Sequence, residues 1–224
     1  MKRTLLRDRK LPDYTRGEEV FNMVSHIVGG AFGVAALVLC LLFSVWKGDA
    51  WRIVSSAVYG VSMVLLYTMS SIYHGLPPRT GKRVMQVLDH CSIYLLITGT
   101  YTPIALCAIR PLSPAWGWGL FGGVWAIAVV AIVFTAIDLK KYAVLSMACY
   151  IGMGWCVVLA AKPVMQALPA AALAWLLAGG VAYTVGAVLY GLGKKRRYIH
   201  SVFHLFVLAG SIMHFVCIFF YVIL

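Results

Sequence analysis

Apolar residues along this chain fall into seven long runs, near residues 20–46, 51–74, 86–109, 115–137, 142–161, 169–192 and 198–224. Each is close to the ~20 residues that a helix needs to cross the hydrocarbon core of a bilayer. The joints between them carry breakers or charge: Lys47-Gly48-Asp49, Pro77-Pro78-Arg79, Arg110-Pro111 with Pro114, Asp138-Leu139-Lys140-Lys141, Lys162-Pro163 with Pro169, and Lys194 to Arg197. Gly, Pro and Asp at such positions are turn signals. The pattern predicts an all-α integral membrane protein of seven transmembrane helices. A short polar segment, residues 1–19, precedes one helical domain over 20–224, with no long linker and no internal repeat.

Composition agrees. The chain of 224 residues is 62% hydrophobic and 12% charged, with mean hydropathy +0.89. Soluble domains average about 45–50% apolar and about 25% charged residues. Residues 1–19 are too polar for a signal peptide, and the first apolar run is long enough to span and stay. The six cysteines all lie within apolar runs and form no CxxC. They read as small packing residues, with neither a disulfide framework nor a thiolate metal site.

The formal net charge of +12 suggests nucleic acid in a soluble protein. Here the basic residues occupy short joints, so topology accounts for them and no nucleic-acid partner is expected. Of 19 Lys and Arg, only Lys47, Arg52, Arg110 and Lys162 lie on the side opposite the N-terminus. The positive-inside rule therefore predicts a cytoplasmic N-terminus and, with seven spans, a C-terminus outside. Gly29 and Gly33 in the first span, and Gly119 and Gly123 in the fourth, form GxxxG faces suited to close helix packing. Trp46, Trp51 and Trp116 stand where interfacial anchors would.

Orientation turns position into depth. His200 and His204 follow Arg197 by three and seven residues, about 5 and 10 Å at helical rise. Spaced by four, they share a helix face. Ser70 and His74 repeat that spacing at the end of span 2. Asp89 lies six residues beyond Arg83 in span 3, about 9 Å deep. Three helices thus place polar groups at one depth, in the inner leaflet. Polar and ionisable side chains inside a span are costly without partners. His74, His200 and His204 with an open fourth position match the ligand set of a catalytic zinc site. Asp89 could hold a water there and take its proton, and Ser70 could bond to that water or to a ligand. Each signal alone has a plainer reading: HxxxH as interfacial histidines bonded to neighbours, and Asp89 as a cap or solvated end. His26, after Glu18, Glu19 and Asn22, has the depth of a residue behind the ligands. His90 faces a neighbour or the interface. His214, about 15 Å beyond His204, lines a cavity or bonds to a neighbouring helix, and Thr98, Tyr101 and Thr102 line that cavity.

SSIYH on span 2, LDHCSIY on span 3 and HSVFHLFVLAGSIMHF on span 7 resemble the hemolysin III proteins, the bacterial branch of the progestin and adipoQ receptor superfamily. The resemblance extends from Glu18 to the C-terminus. It implies seven helices with a cytoplasmic N-terminus in a bacterial cytoplasmic membrane. In receptor members of that superfamily three histidines near the cytoplasmic face hold Zn2+, at positions matching His74, His200 and His204. The superfamily's aspartate and serine match Asp89 and Ser70. Its alkaline ceramidases hydrolyse a sphingolipid amide, so the resemblance implies a zinc-dependent lipid amide hydrolase with membrane lipids as partners. Hormone-receptor members have a longer cytoplasmic N-terminal region, which argues against a receptor role here. Two rival expectations stand beside the hydrolase. One is a sensor of bilayer state in which zinc staples spans 2 and 7. The other is a cytolysin, against which no amphipathic segment looks free to insert. Oligomeric state is left open.

Overall fold

The computed structural model describes residues 4–192 and 196–224; Lys194 and Lys195 of the basic run fall outside them. Among the described residues, seven helices are long and apolar enough to cross a membrane: α1 (Arg16–Lys47), α2 (Ala50–Gly75), α3 (Thr80–Ile109), α4 (Pro114–Ile137), α5 (Ala143–Ala167), α6 (Ala170–Leu192) and α7 (Ile199–Ile223). Their outward faces carry large apolar side chains such as Ile27, Leu42, Val129 and Val188, all exposed. With backbone hydrogen bonds closed inside each helix, this surface is what a bilayer covers. The protein is a multi-pass membrane protein.

Two helices begin earlier than their apolar runs. α1 starts at Arg16 because Thr15 and Glu18 form a reciprocal capping box that closes its polar first turn. α3 starts at Thr80, with a first turn too polar to register as part of a span. The predicted joint at Lys162-Pro163 is not a loop. α5 runs as an α-helix to Gly154, tightens to a 3-10 turn over Cys156–Ala160 and resumes over Ala161–Ala167. Pro163 sits in the first turn of that last piece, where its missing N–H has no intrahelical partner to lose. At the break the Tyr101 hydroxyl donates to the Gly154 carbonyl and accepts from the Val157 N–H, both at 2.9 Å.

α3 is the most deeply buried helix, and the main pairings are α1 with α2, α2 with α3, and α6 with α7. Lipid tails are as apolar as leucine side chains, so close packing and hydrogen bonds hold such helices together. Gly29 and Gly33 lie against the Tyr67 ring and Met63 of α2. A Cβ at Gly119 or Gly123 would meet nothing within 4 Å. The first GxxxG is therefore a packing face, while the second faces open space. Ser44 and Ser56 share a buried bond of 2.8 Å between α1 and α2. Pro103 gives no N–H to α3, and the register then widens to a π-helix over Ile104–Ile109, ending where Arg110 N–H donates to Ala105 O.

The segment ahead of α1 lies across one end of the bundle. Thr4 N–H donates to Asp138 between α4 and α5 (2.9 Å), Arg9 donates to the Ile137 carbonyl (2.9 Å), and Arg83 of α3 donates to the Arg9 carbonyl (2.9 Å). The N–H groups of Thr4 and then Lys141 hold the Asp138 carboxyl down to about 2.

Candidate metal centre

The three predicted ligands meet at the end of the bundle crossed by the N-terminal segment. His74 lies in the last turn of α2, and His200 and His204 lie one turn apart near the start of α7. Their ring centroids are 5.3 Å (His74–His200), 5.2 Å (His74–His204) and 4.2 Å (His200–His204) apart. One nitrogen from each ring lies within 4.8 Å of the others. Zn–N bonds of about 2.0–2.1 Å set ligand nitrogens roughly 3–4 Å apart, so the group could hold an ion.

The hydrogen-bond inventory supports that fit. His74 Nε2 is buried with no partner among the described residues, while its Nδ1 pairs with Glu19 Oε2 at 2.7 Å. His200 and His204 turn their Nε2 atoms toward each other at 2.9 Å. His204 Nδ1 meets His26 Nε2. A buried polar atom left unsatisfied costs about 1–3 kcal/mol. Facing imidazole lone pairs are relieved by a shared proton or a shared cation, and histidine nitrogens are common ligands for zinc.

Elements around the group explain its position. The first turn of α1 acts on two helices at once. Glu18 Oε1 accepts the N–H of Tyr198, the residue that precedes α7, at 2.7 Å. That bond helps hold Tyr198 in the left-handed region (φ 61°), uncommon for a side chain of its size. The adjacent Glu19 orients His74 and also pairs with the buried Lys82 of α3 at 2.7 Å. A carboxylate behind a ligating histidine fixes its tautomer and raises its basicity. His26, packed edge-on to His204 with centroids 4.1 Å apart, takes the equivalent place behind that ring. Tyr14, from the N-terminal segment, stacks on His200 with centroids 4.9 Å apart and planes within 9°. Burial keeps its phenol well above the usual tyrosine range.

Asp89, Ser70, His200 and His204 share the wall of one cavity of about 160 Å³, along with His26. Asp89 approaches His90 Nδ1 at 3.8 Å. Ser70 lies beside the Asp89 carboxyl, with its Oγ buried. From there the cavity runs between α3, α5, α6 and α7 past Ile93, Leu96 and Ile97 to Trp155 and His214, and its wall is mostly apolar. His214 lines the far end and also bonds to the Leu176 carbonyl of α6 at 3.1 Å. Tyr101 and Thr100 line it, whereas Thr98 and Thr102 do not; their hydroxyls turn back to carbonyls on their own helix. His90 bonds to Gln86 O one turn back and borders the cavity.

The family described as Haemolysin-III related matches residues 14–215. The chain belongs to this family. Two of its curated relatives are Hemolysin-3 of Bacillus cereus, 39% identical over 92% of this chain and 92% of its own length, and the Hemolysin-3 homolog of Bacillus subtilis (strain 168), 38% identical over 93% and 96%. A more distant relative, the monocyte to macrophage differentiation factor of Homo sapiens, is 24% identical over 83% of this chain and 77% of its own length. The family match begins at Tyr14 and includes Glu18, Glu19, His26 and all five site residues expected from the sequence. Of the residues around the histidines, His26 was legible as a neighbour of the ligands. Glu19 was legible only as one of the polar residues ahead of His26, and Tyr14 left no signal.

Proposed function

We propose that this haemolysin-III-related protein is a membrane-embedded, zinc-dependent hydrolase of an acyl-lipid amide or ester. The observation that carries the reading is the cavity. Its wall joins two of the three candidate ligands to Asp89 and Ser70, then continues as an apolar channel of the kind an acyl chain needs. His74, His200 and His204 would hold the ion, with Glu19 and His26 behind the first and last of them. When bound, zinc supplies a Lewis acid for a carbonyl oxygen and makes a water molecule acidic near neutral pH.

The chain's own residues do the rest. Ile93, Leu96 and Ile97 take the acyl chain and keep bulk water from it. Asp89 takes a proton from the attacking water as the new C–O bond forms, and returns it to the leaving nitrogen or oxygen as the acyl bond breaks. The Ser70 hydroxyl steadies the carboxylate or the water. With the N-terminus cytoplasmic, this chemistry lies beneath the inner headgroups of a bacterial cytoplasmic membrane.

Purified protein in lipid nanodiscs, offered N-acyl and O-acyl lipids and followed by mass spectrometry of released fatty acid, tests the proposal. Release that stops with a chelator and with Asp89→Asn supports it. No release from any acyl lipid by zinc-loaded protein refutes it. One second reading, a zinc staple without turnover, is favoured by the origin of the candidate ligands on two different helices, α2 and α7, which a shared ion would tie together. That reading expects metal removal to lower the melting temperature while every lipid stays intact.

A further inference from the structure

Among the described residues, two of the three candidate ligands have a polar partner behind them, and the third does not. His74 has Glu19 and His204 has His26. His200 presents Nε2 to His204, while its Nδ1 is buried and meets no hydrogen-bond partner among the described residues. Orientation of a ligand ring governs how well it holds a metal, and a hydrogen bond on the outer nitrogen is the usual means. His200 lacks that means, so something else must set its ring angle.

Packing supplies it. The Tyr14 ring lies nearly parallel on one face of His200. Tyr190 and Phe203 also touch the ring, Tyr190 at 5.4 Å and a steep 54°, Phe203 at 5.8 Å and 27°. Tyr14 is the nearest and the flattest of the three. It also reaches His74, with centroids 5.9 Å apart. Tyr14 does not ride on a spanning helix. It is fixed behind by the Thr15–Glu18 capping box and ahead by the Arg9 contacts with Ile137 and Arg83.

We propose that Tyr14 is the positioning residue of His200, holding that ligand by ring stacking where the other two are held by hydrogen bonds. The segment ahead of α1 is thereby part of the metal centre. This rests on reading the histidine group as a metal site. Stacking needs the aromatic face and not the hydroxyl, so Tyr14→Phe and Tyr14→Leu separate this role from a polar one.

The test uses the purified full chain in detergent, loaded with zinc for chelator competition and with cobalt(II) for visible absorption. Tyr14→Leu is expected to lose zinc affinity by about 10-fold, the lower end for groups that orient a ligand, and to shift the cobalt bands. Tyr14→Phe is expected to restore both. Wild-type affinity and spectrum in Tyr14→Leu, or a Tyr14→Phe variant as impaired as the leucine one, overturns the proposal. Absence of metal from wild type sinks the metal reading instead. The stack is then read in metal-free protein by diethyl pyrocarbonate, which modifies His200 faster in Tyr14→Leu if Tyr14 covers it and at an unchanged rate if it does not.

Discussion

Glu19 offers the sharpest separation of metal binding from stability, because its two oxygens serve different partners. Oε2 pairs with His74 Nδ1 and Oε1 with Lys82 Nζ, each at 2.7 Å. Glu19→Gln keeps an acceptor for His74 but replaces a charge-assisted bond with a neutral one. The difference, about 1.5–3 against about 0.5–1.5 kcal/mol, leaves roughly 1 kcal/mol, or about 5–10-fold in zinc affinity. Glu19→Ala removes the partner altogether and should approach the 100-fold end of losses seen when a ligand's support is deleted. It also strands a buried ammonium. Removing one member of a buried pair costs about 3–5 kcal/mol, and the low end applies here. Lys82 keeps the carbonyls of Leu76 at 3.0 Å and His74 at 3.4 Å, and the Glu19 side chain is 20% exposed. Adding Lys82→Met to Glu19→Ala should recover most of that stability and none of the metal affinity. Competition with a fluorescent chelator reads the first quantity, and thermal unfolding of metal-free protein reads the second. Wild-type zinc affinity in Glu19→Ala would refute the orienting role.

Asp89→Asn should retain zinc yet lower acyl-lipid hydrolysis by about 10²–10⁴-fold, measured as fatty-acid release; unchanged turnover removes Asp89 from the proton transfer. Gly29→Ala should cost about 1–3 kcal/mol, because its Cβ would enter the buried Tyr67 ring, whereas Gly123→Ala should stay within about 0.5 kcal/mol; equal melting temperatures for the two would contradict the packing assigned to the first GxxxG. The Asp138 carboxyl is held at about 2, below its unfolded value near ~3.9. Its contribution should be complete above about pH 4 and fade as pH falls toward 2. The stability gap between wild type and Asp138→Asn should shrink over that window, and a gap that widens on acidification would contradict it.

How far the chain could be read depended on whether a residue's role follows from its position along a helix. All seven spans were legible because a helix in lipid must satisfy its backbone internally and show apolar side chains to its surroundings. The starts of α1 and α3 were not, since a capped polar turn looks like a loop in composition. Neither was the continuity of α5 through Pro163, which depends on the Tyr101 hydroxyl bridging a break more than fifty residues away in sequence. His74, His200, His204, Asp89 and Ser70 could be placed together by counting residues from charged joints. Depth put them at one level, where polar groups of a small bundle have few places to go, and the family resemblance singled them out from the plainer readings. Glu19 was obscured by a commoner role, since acids at a helix start usually serve the cap and dipole. Tyr14 reaches His200 from irregular chain, where no period announces a contact. The Gly119 and Gly123 face shows the converse: a packing motif can be present without a helix placed against it.

The central claim is that His74, His200 and His204 hold one zinc ion between α2 and α7. Metal analysis of purified protein, wild type beside the double variant His200→Ala, His204→Ala, tests it most directly. The account predicts one zinc per chain in the first and none in the second. Wild-type protein without stoichiometric zinc, or a variant that keeps it, would contradict the claim.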